Sequence, residues 1–330
     1  MSYIFYTFKS MLLCLLLIPN PSQAASSKNQ HNPLIVLFHG LGNSATSFDT
    51  MKQGLEQAFP AASVVALTSV EGMQSINLPI KEQAECSFKE LSSKVEHLNK
   101  RSMLLIGHSQ GGLRAYAFLK QYEALLNIKG LVTLAAPWEG APGARVDATI
   151  LSQHLTDPIL HDLRMLSLAL GYPKTGLEEQ LMLNAEVNQT VCLCPGGKDL
   201  MEGSAFLCEV QKCLASEKVP ILAVGGGQND FRSLLTRKGT HRFKALNNIY
   251  TFFVVGENHP NSRHDMQLPL YSQHALHIIS KGKKNFKSVL IKDAFHSTHV
   301  WKIPVPKSKA ILAHPLALHT VIKFTKSIFQ

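Results

Sequence analysis

The chain has no apolar run of the ~20 residues that a bilayer-spanning helix needs, and even the run at its start, Met11 to Ile18, is too short. It has no Gly-X-Y period, no heptad array and no internal repeat, which excludes collagen, coiled-coil and solenoid architectures. Charge is sparse, 17% of 330 residues, while 45% are hydrophobic. A disordered chain has the opposite balance. Acids are the scarcer charge, 23 Asp and Glu against 33 Lys and Arg, for a formal charge of +10. The basic residues read as scattered rather than blocked, and no nucleic-acid reader motif is present. The excess therefore implies solubility or weak attraction to anionic membranes, not a nucleic-acid partner. The length fits one large domain or two small ones, with core enough to fold unstapled.

Residues 1–25 have the layout of a secretory signal peptide: Lys9, the apolar run Met11 to Ile18, then Pro19 to Gln23 and the small pair Ala24-Ala25. The expected destination is secreted or periplasmic, and residues 26–330 form the mature protein. Cys14 leaves with the signal. Cys192, Cys194, Cys208 and Cys213 are clustered, and in an oxidising compartment Cys192 and Cys194 are expected to bridge to Cys208 and Cys213. Zinc is the competing reading, but Cys-X-Cys with Cys-X4-Cys is not a common zinc spacing. Cys86 reads as a buried free thiol.

Short apolar runs without alternation suit strands buried on both faces. They occur at Leu34 to Phe38, Ser63 to Leu67, Met103 to Ile106, Leu131 to Ala135, Ile221 to Val224, Ile249 to Val255 and Val289 to Ile291. Helical stretches separate them at Thr46 to Ala58, Ile80 to Leu98 and Gly112 to Ala124. Such alternation predicts an α/β fold, a mainly parallel sheet with helices on both faces. Between Pro137 and Val219 no strand is evident. Residues 146–218 read as a helical cap or lid inserted over the sheet.

Gly107-His-Ser109-Gln-Gly111 lies between an apolar strand and the helical Leu113-Arg-Ala-Tyr-Ala-Phe-Leu. That context makes it a nucleophile elbow, in which a serine is forced into a sharp strand-to-helix turn. His39-Gly40-Leu41-Gly42 follows the first strand. Loops at that position supply one oxyanion donor, and the residue after the nucleophile supplies another. The donors are expected to be the backbone N–H groups of Leu41 and Gln110, with His39 in a shaping role.

With these pieces the chain resembles an α/β-hydrolase of the lipase group. The matching segments are the His39-Gly-Leu-Gly loop, the Gly107 elbow and Leu131-Val-Thr-Leu-Ala-Ala-Pro-Trp-Glu-Gly-Ala-Pro-Gly-Ala, which is similar to the turn after the elbow in bacterial triacylglycerol lipases. Trp138 stands where those often have His. Ser75 to Cys86 and the Ser-Gln-Gly-Gly of the elbow also resemble palmitoyl-protein thioesterases. The likeness is good over 34–145, diffuse over 146–218 and motif-level beyond. It implies hydrolysis of a fatty-acyl ester or thioester, with the order Ser, acid, His along the chain.

For the base, Val289-Leu-Ile-Lys-Asp-Ala-Phe-His296 resembles the strand-to-loop ending of this fold, with His299 the rival. For the acid, Asp265-Met-Gln-Leu-Pro resembles a lipase segment in which Met266 replaces the usual Gly, and a helix Leu270 to Ser280 would separate it from His296. Asp230 is its rival. His259, His264, His274 and His277 lack a tight ligand spacing, so no metal is expected, and this chemistry needs no organic cofactor. The resulting expectation is an exported lipase or esterase using Ser109, His296 and Asp265. An acyl-thioesterase is the alternative, and a non-catalytic lipid-binding protein on the same fold the third reading. The expected partners are a lipid or acyl-ester substrate and, transiently, a lipid surface.

Overall fold

The computed structural model describes residues 31–330 apart from 237–238, 257–262 and 281. The signal-like segment, Cys14 and His259 lie outside the described residues.

Six strands form one parallel sheet: β1 (Leu34–Phe38), β2 (Ser63–Ala66), β3 (Met103–His108), β4 (Ile128–Leu134), β5 (Ile221–Gly226) and β6 (Phe286–Ile291), in the order β2-β1-β3-β4-β5-β6. A short antiparallel pair, β7 (His299–Val300) with β8 (Ile303–Pro304), follows. The helices are α1 (Asp49–Ala58), α2 (Met73–Asn77), α3 (Ile80–Lys94), α4 (Gln110–Tyr122), α5 (Ala148–His154), α6 (Asp157–Leu170), α7 (Gly176–Leu193), α8 (Pro195–Lys198), α9 (Ala205–Ser216), α10 (Lys244–Val255), α11 (Leu270–Gln273) and α12 (Pro315–Phe329).

The two-residue period of a strand sends neighbours to opposite faces. Leu34, Val36, Phe38, Met103 and Leu105 enter one core with Ile80, Ala84 and Leu91 of α3 and Leu113 and Phe118 of α4. Ile35, Leu37, Leu104 and Ile106 enter the other with Met51 and Leu55 of α1 and Ala317 and Val321 of α12. Apolar residues are thus needed at successive positions, which is why these strands read as unbroken runs. Full burial of each such Leu, Ile or Phe contributes roughly 1.5–3 kcal/mol.

A third core lies over the carboxyl ends of the strands. It joins Leu151 of α5, Leu163 and Leu166 of α6, Leu177 and Leu181 of α7, Leu246 and Phe253 of α10, and Phe295 and Val300. The helices of 148–193 therefore form a cap, but α9 instead packs Phe206, Leu207, Val210 and Leu214 into the main core. The cap gains α10 in exchange.

Two elements differ from expectation. Ile249–Val255 is not a strand but the end of helix α10. Its apolar residues face the cap core on one side and Tyr271 on another. A short apolar run buried on several sides carries no period to separate helix from strand. The expected helix 270–280 stops at Gln273, and Ala275 has φ +52.

The cysteines also depart from expectation. Cys86, Cys192, Cys194, Cys208 and Cys213 are all free thiols. Cys192 points toward the Ala144 carbonyl and Cys194 back to that of Thr190. Cys208 is exposed on α9, whereas Cys213 packs against the main core. The clustered cysteines thus face different surroundings, and the anticipated bridges are absent.

Candidate active site

Ser109 sits between β3 and α4 at φ +53, ψ −128, a backbone region that L-residues rarely occupy. Such strain costs on the order of 1–3 kcal/mol and persists only where surroundings enforce it. Here Ser109 N–H donates to the Leu134 carbonyl at 2.9 Å, and Gly112 N–H to the Ser109 carbonyl at 2.9 Å. The flanking glycines are steric requirements. A Cβ on Gly107 would lie 2.3 Å from the Gly111 carbonyl oxygen, and one on Gly111 2.1 Å from that of Phe38. Both obstacles are backbone and cannot swing aside.

His296 brings its Nε2 to 3.0 Å from Ser109 Oγ and its Nδ1 to 2.7 Å from Asp265 Oδ2. Asp265 has 0% exposure. Its other oxygen accepts the backbone N–H groups of Gln267 (3.1 Å) and Leu268 (2.8 Å). The buried carboxylate is therefore fully hydrogen-bonded, as a buried charge must be. It holds the imidazole proton on Nδ1, leaving Nε2 free to accept the serine proton. The backbone adds a clamp, His296 N–H donating to the Asp265 carbonyl at 2.9 Å.

The structure does not bring the rival residues to this place. Asp230 caps a short turn, accepting Arg232 N–H at 3.0 Å and an Asn247 amide proton at 3.0 Å. His299 is exposed, and its Nδ1 meets Thr298 Oγ1 at 3.1 Å. Of the histidines weighed as metal ligands, His264 bonds to Thr251 and Met266, His274 to Val289 and His277 to Glu139.

The loop after β1 passes beside the serine: a Cβ on Gly40 would be 3.0 Å from Ser109 Cβ. The His39 Nδ1–H donates to the Gly40 carbonyl at 3.0 Å. That carbonyl shares a planar peptide unit with Leu41 N–H, so fixing one fixes the other. Gln110 N–H opens helix α4, where helix geometry leaves donors without intrahelical partners. Neither amide meets an acceptor among the described residues. Burial, then the Arg114 charge, hold His39 down at about 4. Burial holds His108, which donates from Nε2 to the His296 carbonyl at 3.0 Å, at about 3. Both imidazoles are thus neutral struts at ordinary pH.

Three contributors were not expected from the sequence. Arg114, buried on α4, donates to the His39 carbonyl at 3.2 Å and lies over the Phe38 ring. Its signal was a lone cation inside an apolar helix face. The Gln110 side chain donates to the Ser75 and Gly196 carbonyls, tying the elbow to α2 and to α8. Met266 has φ +75, which explains why a glycine is usual there. Its side chain is fully buried and lines the cavity, which offsets the strain.

The serine opens into a cavity of about 400 Å³. Its walls are Leu151, Leu181, Ala185 and Val191 from the cap, Phe253 and Val254 from α10, and Met266, Leu268, Val300 and Trp301. Asn43, Asn184, Asn188 and Gln267 add neutral polar groups, and among the described residues no Asp, Glu, Lys or Arg lines it. Together the elements offer a serine hydroxyl hydrogen-bonded to an imidazole, that imidazole hydrogen-bonded to a buried carboxylate, and an apolar volume beside them.

Comparison with known proteins agrees with this architecture. The palmitoyl protein thioesterase family model matches residues 34–188, from β1 through most of α7. Lysosomal thioesterase PPT2 of Bos taurus is 30% identical over 123 residues, 37% of this chain and 39% of its own length. The Homo sapiens protein of that name is 30% identical over 131 residues, 40% of each chain. The match thus spans about two fifths of these relatives. Phospholipase PlaB from Legionella pneumophila shares the fold, with a TM-score of 0.53 at 12% identity over 87% of this chain and 59% of that one. The chain has the α/β-hydrolase fold, and its similarity to palmitoyl protein thioesterases runs through the elbow and into the cap.

Proposed function

We propose that the protein is a serine hydrolase of fatty-acyl esters and thioesters, with Ser109 as nucleophile, His296 as base and Asp265 as the acid that orients it. The observation that carries this reading is the relay from Ser109 Oγ through His296 to Asp265, at 3.0 and 2.7 Å, opening into an apolar cavity. Ser109 Oγ attacks the acyl carbon while its proton passes to His296 Nε2. The oxyanion is received by Leu41 N–H and Gln110 N–H. Collapse of the intermediate expels the alcohol or thiol, which takes the proton from His296. Water, activated by the same imidazole, then releases the acid and restores the serine.

The thioester is the second reading for the leaving group, and the family-model match over 34–188 favours it. A thiol leaves without needing as much protonation as an alkoxide, so a site able to cleave oxygen esters also cleaves thioesters. Residues 1–25 serve as an export signal in this reading. The deciding experiment sets p-nitrophenyl esters of graded chain length against the corresponding acyl-thioesters. Hydrolysis rising with chain length, abolished in Ser109→Ala, is expected. Activity that survives in Ser109→Ala, or no activity on any acyl substrate, would overturn the proposal.

A further inference from the structure

The formal charge of +10 is not evenly spread. Residues 266–330 hold ten lysines, no arginine and one acid, Asp293. Nearly the whole excess is therefore in the last fifth of the chain, against the expectation of scatter. Four of these lysines stand on segments joined to the loop that carries His296. Lys292 directly follows β6. Lys302 is in the turn between β7 and β8, next to Val300 and Trp301 of the cavity wall. Lys307 and Lys309 form the next turn, and the Lys309 carbonyl accepts Phe295 N–H at 2.8 Å. Lys292, Lys302 and Lys307 are exposed. The one acid, Asp293, is exposed and meets His314 Nε2 at 3.2 Å. Among the described residues none of the four lysines is in an ion pair.

We infer that this lysine collar docks the protein on an anionic lipid bilayer, with the cavity mouth toward the lipid. Two observations favour a bilayer over an acidic protein. The cations are all lysine, compact point charges that suit a diffuse anionic surface, whereas arginine forks suit the fixed carboxylates of one partner. Helix α7, which borders the same cavity with Leu181 and Ala185, exposes Leu183, Val187 and Leu193 on its outside, the last at 72%. A helix apolar on both sides calls for an apolar neighbour as well as a core. The docking does not rest on the hydrolase reading, because it is measured without turnover.

The test is co-sedimentation of the full chain with vesicles of phosphatidylcholine containing phosphatidylglycerol, at low and high salt, beside vesicles of phosphatidylcholine alone. One triple variant is Lys292→Gln, Lys302→Gln, Lys307→Gln. The other is Lys100→Gln, Lys129→Gln, Lys218→Gln, which removes equal charge near the amino ends of the strands. Each lysine close to an anionic surface is worth roughly fivefold in partitioning, so the collar variant binds on the order of 100-fold more weakly at low salt. The other triple loses less than about fivefold. Hydrolysis of a short soluble ester stays unchanged in the collar variant. Equal losses in both triples would overturn the proposal, as would binding that ignores phosphatidylglycerol. Binding to soluble polyglutamate without binding to vesicles would assign the face to an acidic macromolecule and overturn it too.

Discussion

Replacing Asp265 by Asn tests the polarity of the relay, and the structure fixes which way the new amide must turn. Asp265 Oδ1 accepts two backbone N–H groups, from Gln267 and Leu268, while Oδ2 accepts the proton on His296 Nδ1. In Asp265→Asn the carbonyl oxygen stays on the two backbone donors, because an NH₂ there would leave two buried N–H groups facing a donor. The NH₂ then faces Nδ1 and donates to it. The imidazole proton is forced onto Nε2, where it points at Ser109 Oγ and cannot accept the serine proton. An acid-to-amide change that installs the wrong tautomer costs ~10⁴ in turnover, or about 5–6 kcal/mol of barrier. The assay is kcat and KM on a p-nitrophenyl ester for Asp265→Asn and Asp230→Asn in parallel. The expected outcome is a loss in kcat, a KM within about threefold of the parent, and a near-parental rate for Asp230→Asn. A loss below tenfold in a folded Asp265→Asn protein would refute the tautomer argument, and a larger loss in Asp230→Asn would reverse the assignment.

Gly111→Ala drives a Cβ to 2.1 Å from the Phe38 carbonyl oxygen, so it is expected to cost about 3 kcal/mol and roughly 6 °C in Tm, whereas Gly239→Ala, facing open space, changes neither by calorimetry. Met266→Gly relieves about 1 kcal/mol of left-handed strain but empties a fully buried site worth about 2–5 kcal/mol, so urea titration is expected to show net destabilisation. The enlarged cavity should also shift the preferred acyl chain toward bulkier groups. His39, His108 and His264 are held by burial at about 4, 3 and 4. The unfolded chain therefore binds more protons than the native one as pH falls from about 6.5 toward 4, and stability is lost across that window by on the order of 3 kcal/mol per histidine. Urea midpoints that stay level from pH 7 to pH 4 would contradict this.

The sheet was legible because a strand buried on both faces has to be apolar at successive positions, and β1, β3, β4 and β5 are. The elbow was legible because only glycine fits at 107 and 111, so the spacing around Ser109 is dictated by backbone collisions. Asp265 stayed in competition with Asp230 because both follow apolar runs; what separates them is a hydrogen bond across 31 residues, which no local pattern records. Helix α10 was misread for a related reason. Its burial comes from α6, far upstream in sequence, and from the segment around Phe231, across a loop from it. The cysteine cluster misled because closeness along the chain does not set side-chain direction: Cys208 faces solvent and Cys213 the main core.

The central claim, that Ser109 carries the acyl group, is tested most directly by trapping it. Intact-mass and peptide-level mass spectrometry after incubation with a fluorophosphonate or a slowly turned-over acyl ester reads the position of the adduct. One adduct is expected, on the peptide bearing Ser109, that blocks ester hydrolysis in proportion to labelling and disappears in Ser109→Ala. Full hydrolytic activity in protein that carries the adduct, or an adduct that persists in Ser109→Ala on Cys192 or another residue of the cavity, would contradict it.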